Sequence, residues 1–153
     1  MYVMRGAMPV SVLTGYMPWR LWWLKLGVNL FGKMMIKDEP FKEAFFFDDS
    51  IEFRKELKMP LAFVGGLNSL DSINKVLNAG FEFVEMARPL VYDTDFVNKL
   101  NDGTCTVSGC RHANYCVARI WNYDMQCHEN CTLPPRMKRE VERNIRKYYD
   151  KKQ

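Results

Sequence analysis

The chain has 153 residues, a mass of 18.0 kDa and 48% hydrophobic residues. That is enough to bury the core of one ordinary domain, which excludes a disordered chain and a disulfide-stapled miniprotein. It is too short for a closed eight-fold βα barrel, which needs about 250 residues.

The net charge of +4 comes from 22 basic and 18 acidic side chains, and the excess sits at one end. Residues 136–153 hold eight basic and three acidic groups, whereas residues 1–135 hold 14 and 15. In that tail Met137, Val141, Ile145 and Tyr148 or Tyr149 recur at helical spacing, with acids among the bases. This is the pattern of a solvated amphipathic helix rather than a nucleic-acid patch. Five cysteines is an odd number. Residues 1–9 lack the charged start, apolar run and small-residue site of a secretory leader. The expected compartment is the cytoplasm, where the cysteines are thiols or metal ligands before they are disulfides.

In chain order, the first sixteen residues are apolar, broken by Gly6, Pro9 and Gly15, and read as a strand end followed by a loop. Pro18 to Ile36 is the most hydrophobic stretch. Arg20, Lys25 and Lys33 cut it, and Gly27 and Gly32 weaken it, so it does not span a membrane. It reads as a segment packed on its own domain or on a partner. The alternative is an interfacial helix presenting Trp19, Trp22 and Trp23. From Phe41 to Leu57 the pattern is helical, with a break and a new N-cap expected at Asp48–Ser50.

The next stretch is the most legible. Leu61 to Gly66 is a short apolar run ending in two glycines, a buried strand entering a tight turn. Asn68 or Ser69 can cap a helix with Leu70, Ile73, Val76 and Leu77 on its apolar side, and Gly80 suits the left-handed position past its end. Phe81 to Ala87 is a second strand, followed by a turn at Arg88–Pro89 and a short helix from Asp95 to Leu100. This alternation predicts an α/β fold with a parallel sheet.

In such an array the turns after the strand C-termini carry ligand contacts. Here Gly65 and Gly66 end one strand, and Ala87 followed by Arg88 ends the next. Small residues let backbone N–H groups approach an anion, and Arg88 can add a charge-assisted bond. A phosphate shared by two adjacent turns is a coherent reading of these residues. A plain glycine turn and a surface ion pair are the alternative.

Three stretches, Leu61–Ser69, Asn78–Leu100 and Ser108–Cys116, resemble the C-terminal part of the old yellow enzyme family. These NADH:flavin oxidoreductases include the 2,4-dienoyl-CoA reductases. Met1–Pro9 is similar to the segment around the family's preceding strand. The resemblance covers most of residues 1–131 and is most specific between Pro60 and Leu100. It implies the last two to three βα units of a (β/α)8 TIM barrel over residues 1–104, a cysteine-containing segment at 105–135 and a basic helix at 136–153. It also implies FMN as cofactor, with Gly65, Gly66 and Leu67 in one phosphate turn and Ala87 and Arg88 in the other. Hydride would pass from NAD(P)H to FMN and on to an activated C=C bond of an enone or enoyl substrate. The sequence departs from the family at Ala87, where Gly is usual, and at Thr94, where Pro is usual.

Cys110, Cys116 and Cys127 match cysteines that hold an iron–sulfur cluster in the reductase branch, but Ala113 stands where a further cysteine is common. His112, Cys131 or Cys105 would have to substitute, so free thiols under a loop are the expectation and a cluster is not. The family's substrate and isoalloxazine residues lie on earlier strands. Neither His112 nor His128 matches them, and no general acid is assigned. The expectation is therefore a truncated product, a split-gene half or a gene fragment. Its partner would be the missing barrel half or a second copy, with no nucleic acid. The rival readings are a non-catalytic remnant that binds a partner through Trp19–Ile36, and a small thiol or metal protein.

Overall fold

A computed structural model describes residues 5–35, 38–120 and 125–148. In chain order its elements are α1 (Val10–Gly15), a 3-10 turn (Trp19–Leu21), α2 (Trp22–Met35) and α3 (Phe47–Glu56). Then follow β1 (Ala62–Val64), α4 (Leu70–Asn78), β2 (Phe83–Glu85), α5 (Arg88–Tyr92) and α6 (Phe96–Asn101). The chain ends with α7 (Tyr115–Ala118), a 3-10 turn (His128–Asn130) and α8 (Pro135–Tyr148). It divides into two compact units, a central one of Phe41–Cys110 and a terminal one of Met1–Pro40 with Arg111–Gln153.

In the central unit β1 and β2 pair in parallel, with Ala62 beside Phe83, Phe63 beside Val84 and Val64 beside Glu85. The crossover is α4, as the alternating pattern predicts. Ser69, not Asn68, caps it: the Ser72 N–H donates to Ser69 Oγ at 3.2 Å, and the Ser69 N–H returns a bond to Ser72 Oγ. Gly80 takes the expected left-handed conformation, φ +95°. Phe63, Leu67, Ile73, Val76, Phe81 and Ala44 form the buried core, joined by Phe46, Phe47 and Ile51. At the opposite edge from the strand C-termini, Arg54 Nη1 contacts the Glu82 carboxylate at 3.2 Å, and Glu82 Oε2 accepts the Leu61 N–H at 2.8 Å. That backbone bond, with Arg54 behind it, holds the Glu82 carboxyl below its usual range.

Three local expectations fail here. No break falls at Asp48–Ser50: α3 starts at Phe47, and Asp48 and Asp49 lie in its first turn, where the helix dipole favours carboxylates. Residues 41–46 are not helical, and Ala44 has φ +49°. Arg88–Pro89 is not a turn but the start of α5, with Pro at a position where its missing N–H costs nothing.

In the terminal unit, Val12, Tyr115, Ala118, Val141 and Ile145 form the core. Of the strand end and loop expected over the first sixteen residues, Met1–Met4 lie outside the described residues, residues 5–9 are non-helical with Gly6 bridged antiparallel to Glu39, and the expected loop from Val10 to Gly15 is instead the helix α1. Its β-branched residues suggested a strand, but burial of Val10, Val12 and Thr14 decides the matter, and Thr14 Oγ1 satisfies the Val10 carbonyl at 2.9 Å. The Ser11 N–H at the start of α1 is taken by Glu140 Oε2 of α8 at 2.8 Å. The amphipathic reading of the tail stands: Val141 and Ile145 are buried, and Met137 packs against the same core.

Candidate functional site

The last pair is Val64 with Glu85, so both strands run into their turns, Gly65–Leu67 and Ala87–Arg88, at the same carboxyl end, and the Phe41 ring lies close to both Gly66 and Arg88. Neighbouring strands lie about 4.8 Å apart, so the two turns are side by side at the carboxyl edge of the pair. Gly65, Gly66, Leu67, Ala87 and Arg88 are thus brought together by the parallel pairing, which the order of elements in the sequence requires.

The first turn is tightly specified. Gly66 has φ +75°, and a Cβ there would lie 2.7 Å from Phe45 Cε1 and 2.9 Å from Phe41 Cε2. A Cβ on Gly65 would lie 2.9 Å from Phe63 Cζ. The Gly65 and Gly66 carbonyls accept the N–H groups of Phe45 and Ala44 at 2.9 and 3.3 Å. Both glycines therefore have a packing reason of their own, closure of the 41–46 segment over the turn. Among the described residues, no acceptor outside the ladder takes the N–H of Gly66 or Leu67.

The helix that follows is closed at its start. The Leu70 N–H donates to Thr106 O at 2.8 Å, and Ser69 Oγ donates to Glu43 Oε2 at 2.5 Å. Asn68 is buried. Its Nδ2 reaches Ser108 O at 3.4 Å, while Oδ1 has no partner among the described residues. The turn thus offers donors from its backbone, while the unmatched Asn68 oxygen is closed off from the surface.

Ala87 is exposed at the second turn, and the Arg88 guanidinium carbon sits 5.5 Å from the Phe41 ring centroid. The aromatic face steadies the cation beside the glycines. Beyond α5, Lys99 Nζ donates to Asp93 Oδ2 at 2.6 Å. That bond pulls the Asp93 carboxyl down and pushes the Lys99 ammonium up. Sequence reasoning missed Phe41, Phe45, Asn68 and Glu43, because each acts across a separation that no local motif reports.

The cysteines divide between the units. Cys105 and Cys110 lie in the central unit, and Cys116, Cys127 and Cys131 in the terminal one. Among the described residues no three His, Cys, Asp or Glu side chains gather as metal ligands. In the terminal unit the Cys131 thiol lies 3.3 Å from the Cys127 carbonyl and 3.5 Å from Tyr115 Oη. Burial, then the hydroxyl of Tyr16 and the Cys131 thiol, raise the Tyr115 phenol well above its ordinary value. Cys131 also lines a cleft of about 400 Å³ with Arg111, His128, Glu129, Lys138 and Glu142. There Arg111 pairs with Glu129 at 2.6 Å. Burial lowers the His128 pKa, against the opposing pull of Glu129 at 3.2 Å.

With this geometry in place, comparison with known proteins adds one finding. Over 121 residues the chain is 36% identical to the 4,4'-dithiodibutanoate disulfide reductase of Rhodococcus erythropolis. That relative is a redox enzyme. The match covers 79% of this chain but only 29% of the reductase, so the chain spans less than a third of its relative's length. No protein-family model and no solved structure matches the chain. Among the described residues no helix is long and apolar enough to cross a membrane.

Proposed function

We propose that the chain carries the phosphate end of an FMN site in an NAD(P)H-dependent flavin oxidoreductase. The observation that carries this reading is the parallel pairing of β1 and β2, whose turns, Gly65–Leu67 and Ala87–Arg88, both follow the carboxyl ends of the strands. The resemblance of residues 60–100 to the old yellow enzyme family and the similarity to a reductase support the same class of chemistry. The exposed face of the pair supports a larger βα barrel around it. Parallel strands are built to be covered on both faces, yet Val64 and Phe83 are 59% and 61% exposed here.

In this reading the backbone N–H groups of Gly66 and Leu67 donate to the phosphate, and Arg88 adds a charge-assisted bond. The methyl group of Ala87 narrows the second turn relative to a glycine. Bound there, FMN would supply hydride transfer from NAD(P)H to an acceptor. The protein's part at these turns is to fix one end of the cofactor and offset its charge. No residue among the 153 is assigned to protonate the acceptor.

The acceptor expected from the family is an activated C=C bond. The relative's name favours a second reading, an organic disulfide, in which one hydride and one proton cleave the S–S bond to two thiols. Titrating the full chain with FMN while following flavin fluorescence tests the site. Binding should weaken at least tenfold in Arg88→Ala, the loss of one charge-assisted bond. Unchanged affinity in a folded Arg88→Ala protein contradicts the assignment.

A further inference from the structure

The side of α2 turned to solvent is more apolar than the side packed on its own unit. Inward, Gly32 lies against α1, where a Cβ would be 3.3 Å from Val10 Cγ1, and Asn29 Oδ1 takes the Thr14 hydroxyl at 3.3 Å. Outward stand Trp22, Trp23, Leu26, Leu30, Phe31 and Met34, each between 54% and 79% exposed, continued by Trp19 at 81%. At the 100° step of an α-helix, those six fall within an arc of about 180°. A contiguous apolar face of this kind marks an interaction surface rather than ordinary scatter.

Charge decides what covers it. Residues 1–37 contain five Lys or Arg and no Asp or Glu. The whole terminal unit, residues 1–40 with 111–153, holds 15 basic against seven acidic side chains, while the central unit holds seven against 11. The cations also stand beside the helix: a cleft of about 240 Å³ is lined by Asn29 of α2, Val10 and Ser11 of α1, and Arg136, Glu140 and Arg143 of α8. A second copy docked on this face would bring like charges together, which costs binding energy.

We infer that α2, flanked by Arg136 and Arg143 of α8, docks the protein on an anionic lipid surface. A 14-residue helix is about 21 Å long, too short for a hydrocarbon core of about 30 Å, so it lies in the interface plane. Tryptophan prefers headgroup depth, Leu, Phe and Met enter the acyl boundary, and the arginines meet lipid phosphates and carboxylates. The face is the convex side of a single helix rather than a groove, which suits a lipid boundary better than an acidic polypeptide.

The full chain is tested by co-sedimentation with vesicles of phosphatidylcholine alone and with phosphatidylserine added at roughly one part in three, a lipid composition that gives a negative surface potential. Tryptophan emission is read in the same samples. Binding is expected on the anionic vesicles, with a blue shift, and should fall as salt is raised. Leu30→Ser with Phe31→Ser should remove the shift and weaken binding at least tenfold. Arg136→Ala with Arg143→Ala should weaken it by roughly tenfold or more, at about fivefold per cation. Retained helical circular dichroism in each variant separates these effects from unfolding. Four outcomes overturn the inference: no vesicle binding, equal binding to both vesicle types, binding without an emission shift, or a vesicle-free oligomer in which the tryptophans are already shielded.

Discussion

The central unit is acidic and assembled from neighbours in sequence, whereas the terminal unit is basic and assembled from the two ends of the chain. In the first, local rules of capping, turns and alternation specify β1, α4 and β2, while the 41–46 segment and Thr106 close on them from farther along the chain. In the second, α1 is a helix because residues more than 100 positions later cover it, as Glu140 does at Ser11. Local pattern therefore finds β1, α4 and β2 in the first unit but misses the 41–46 segment and the start of α5, and in the second it finds α8 but misreads α1. The same contrast separates the two proposed surfaces, a sheet edge with small residues in one unit and an apolar, cation-flanked helix in the other.

The largest expected effect comes from the central core. Phe63→Ala should cost about 3–5 kcal/mol, because a buried aromatic leaves a cavity the neighbours cannot fill. Amide exchange across Ala62–Glu85 reads this, and unchanged protection there would break the assignment of that core. Two glycine substitutions sharpen the comparison. Gly66→Ala should cost about 1–3 kcal/mol, since φ is +75° and Phe45 blocks the new methyl group. Gly27→Ala, in α2 with nothing within 4 Å, should instead stabilise by about 0.5–1 kcal/mol. Thermal melts of the pair decide it, and effects of the same sign would contradict the packing described.

A cap at Asn68 or Ser69 was legible from the position before an apolar run, the structure selects Ser69, and Ser69→Ala should cost about 1 kcal/mol. Gly80 and the βαβ alternation were legible for the same reason: one residue or one period suffices to specify them. The partners of the glycine turn were not. Phe41 and Phe45 look like helix positions in the sequence, and only the fold shows that they close over Gly66. Trp22 and Leu30 could equally have been core, since periodicity gives a face without saying what covers it.

The smallest effect is electrostatic. The carboxyls of Glu82 and Asp93 titrate below their ordinary 4.5 and 3.8, so their pairs stabilise the fold fully above those values. That contribution should be lost as pH falls through the lower folded values. Lys99 works the other way, contributing below its ordinary 10.5 and losing that contribution as pH rises past its raised value. Denaturation midpoints at pH 7 and below pH 4 for Glu82→Gln and the parent should converge in acid, and a constant gap would remove the Glu82 pairing from the account.

Comparing FMN with riboflavin tests the proposed phosphate site at Gly65–Leu67 and Ala87–Arg88. The two ligands differ by the phosphate alone, so equilibrium binding of each to the full chain isolates its contribution. FMN should bind at least tenfold more tightly, and Arg88→Ala should erase most of that preference while leaving riboflavin binding unchanged. Equal affinity for the two ligands, or a preference that survives Arg88→Ala intact, would contradict the account.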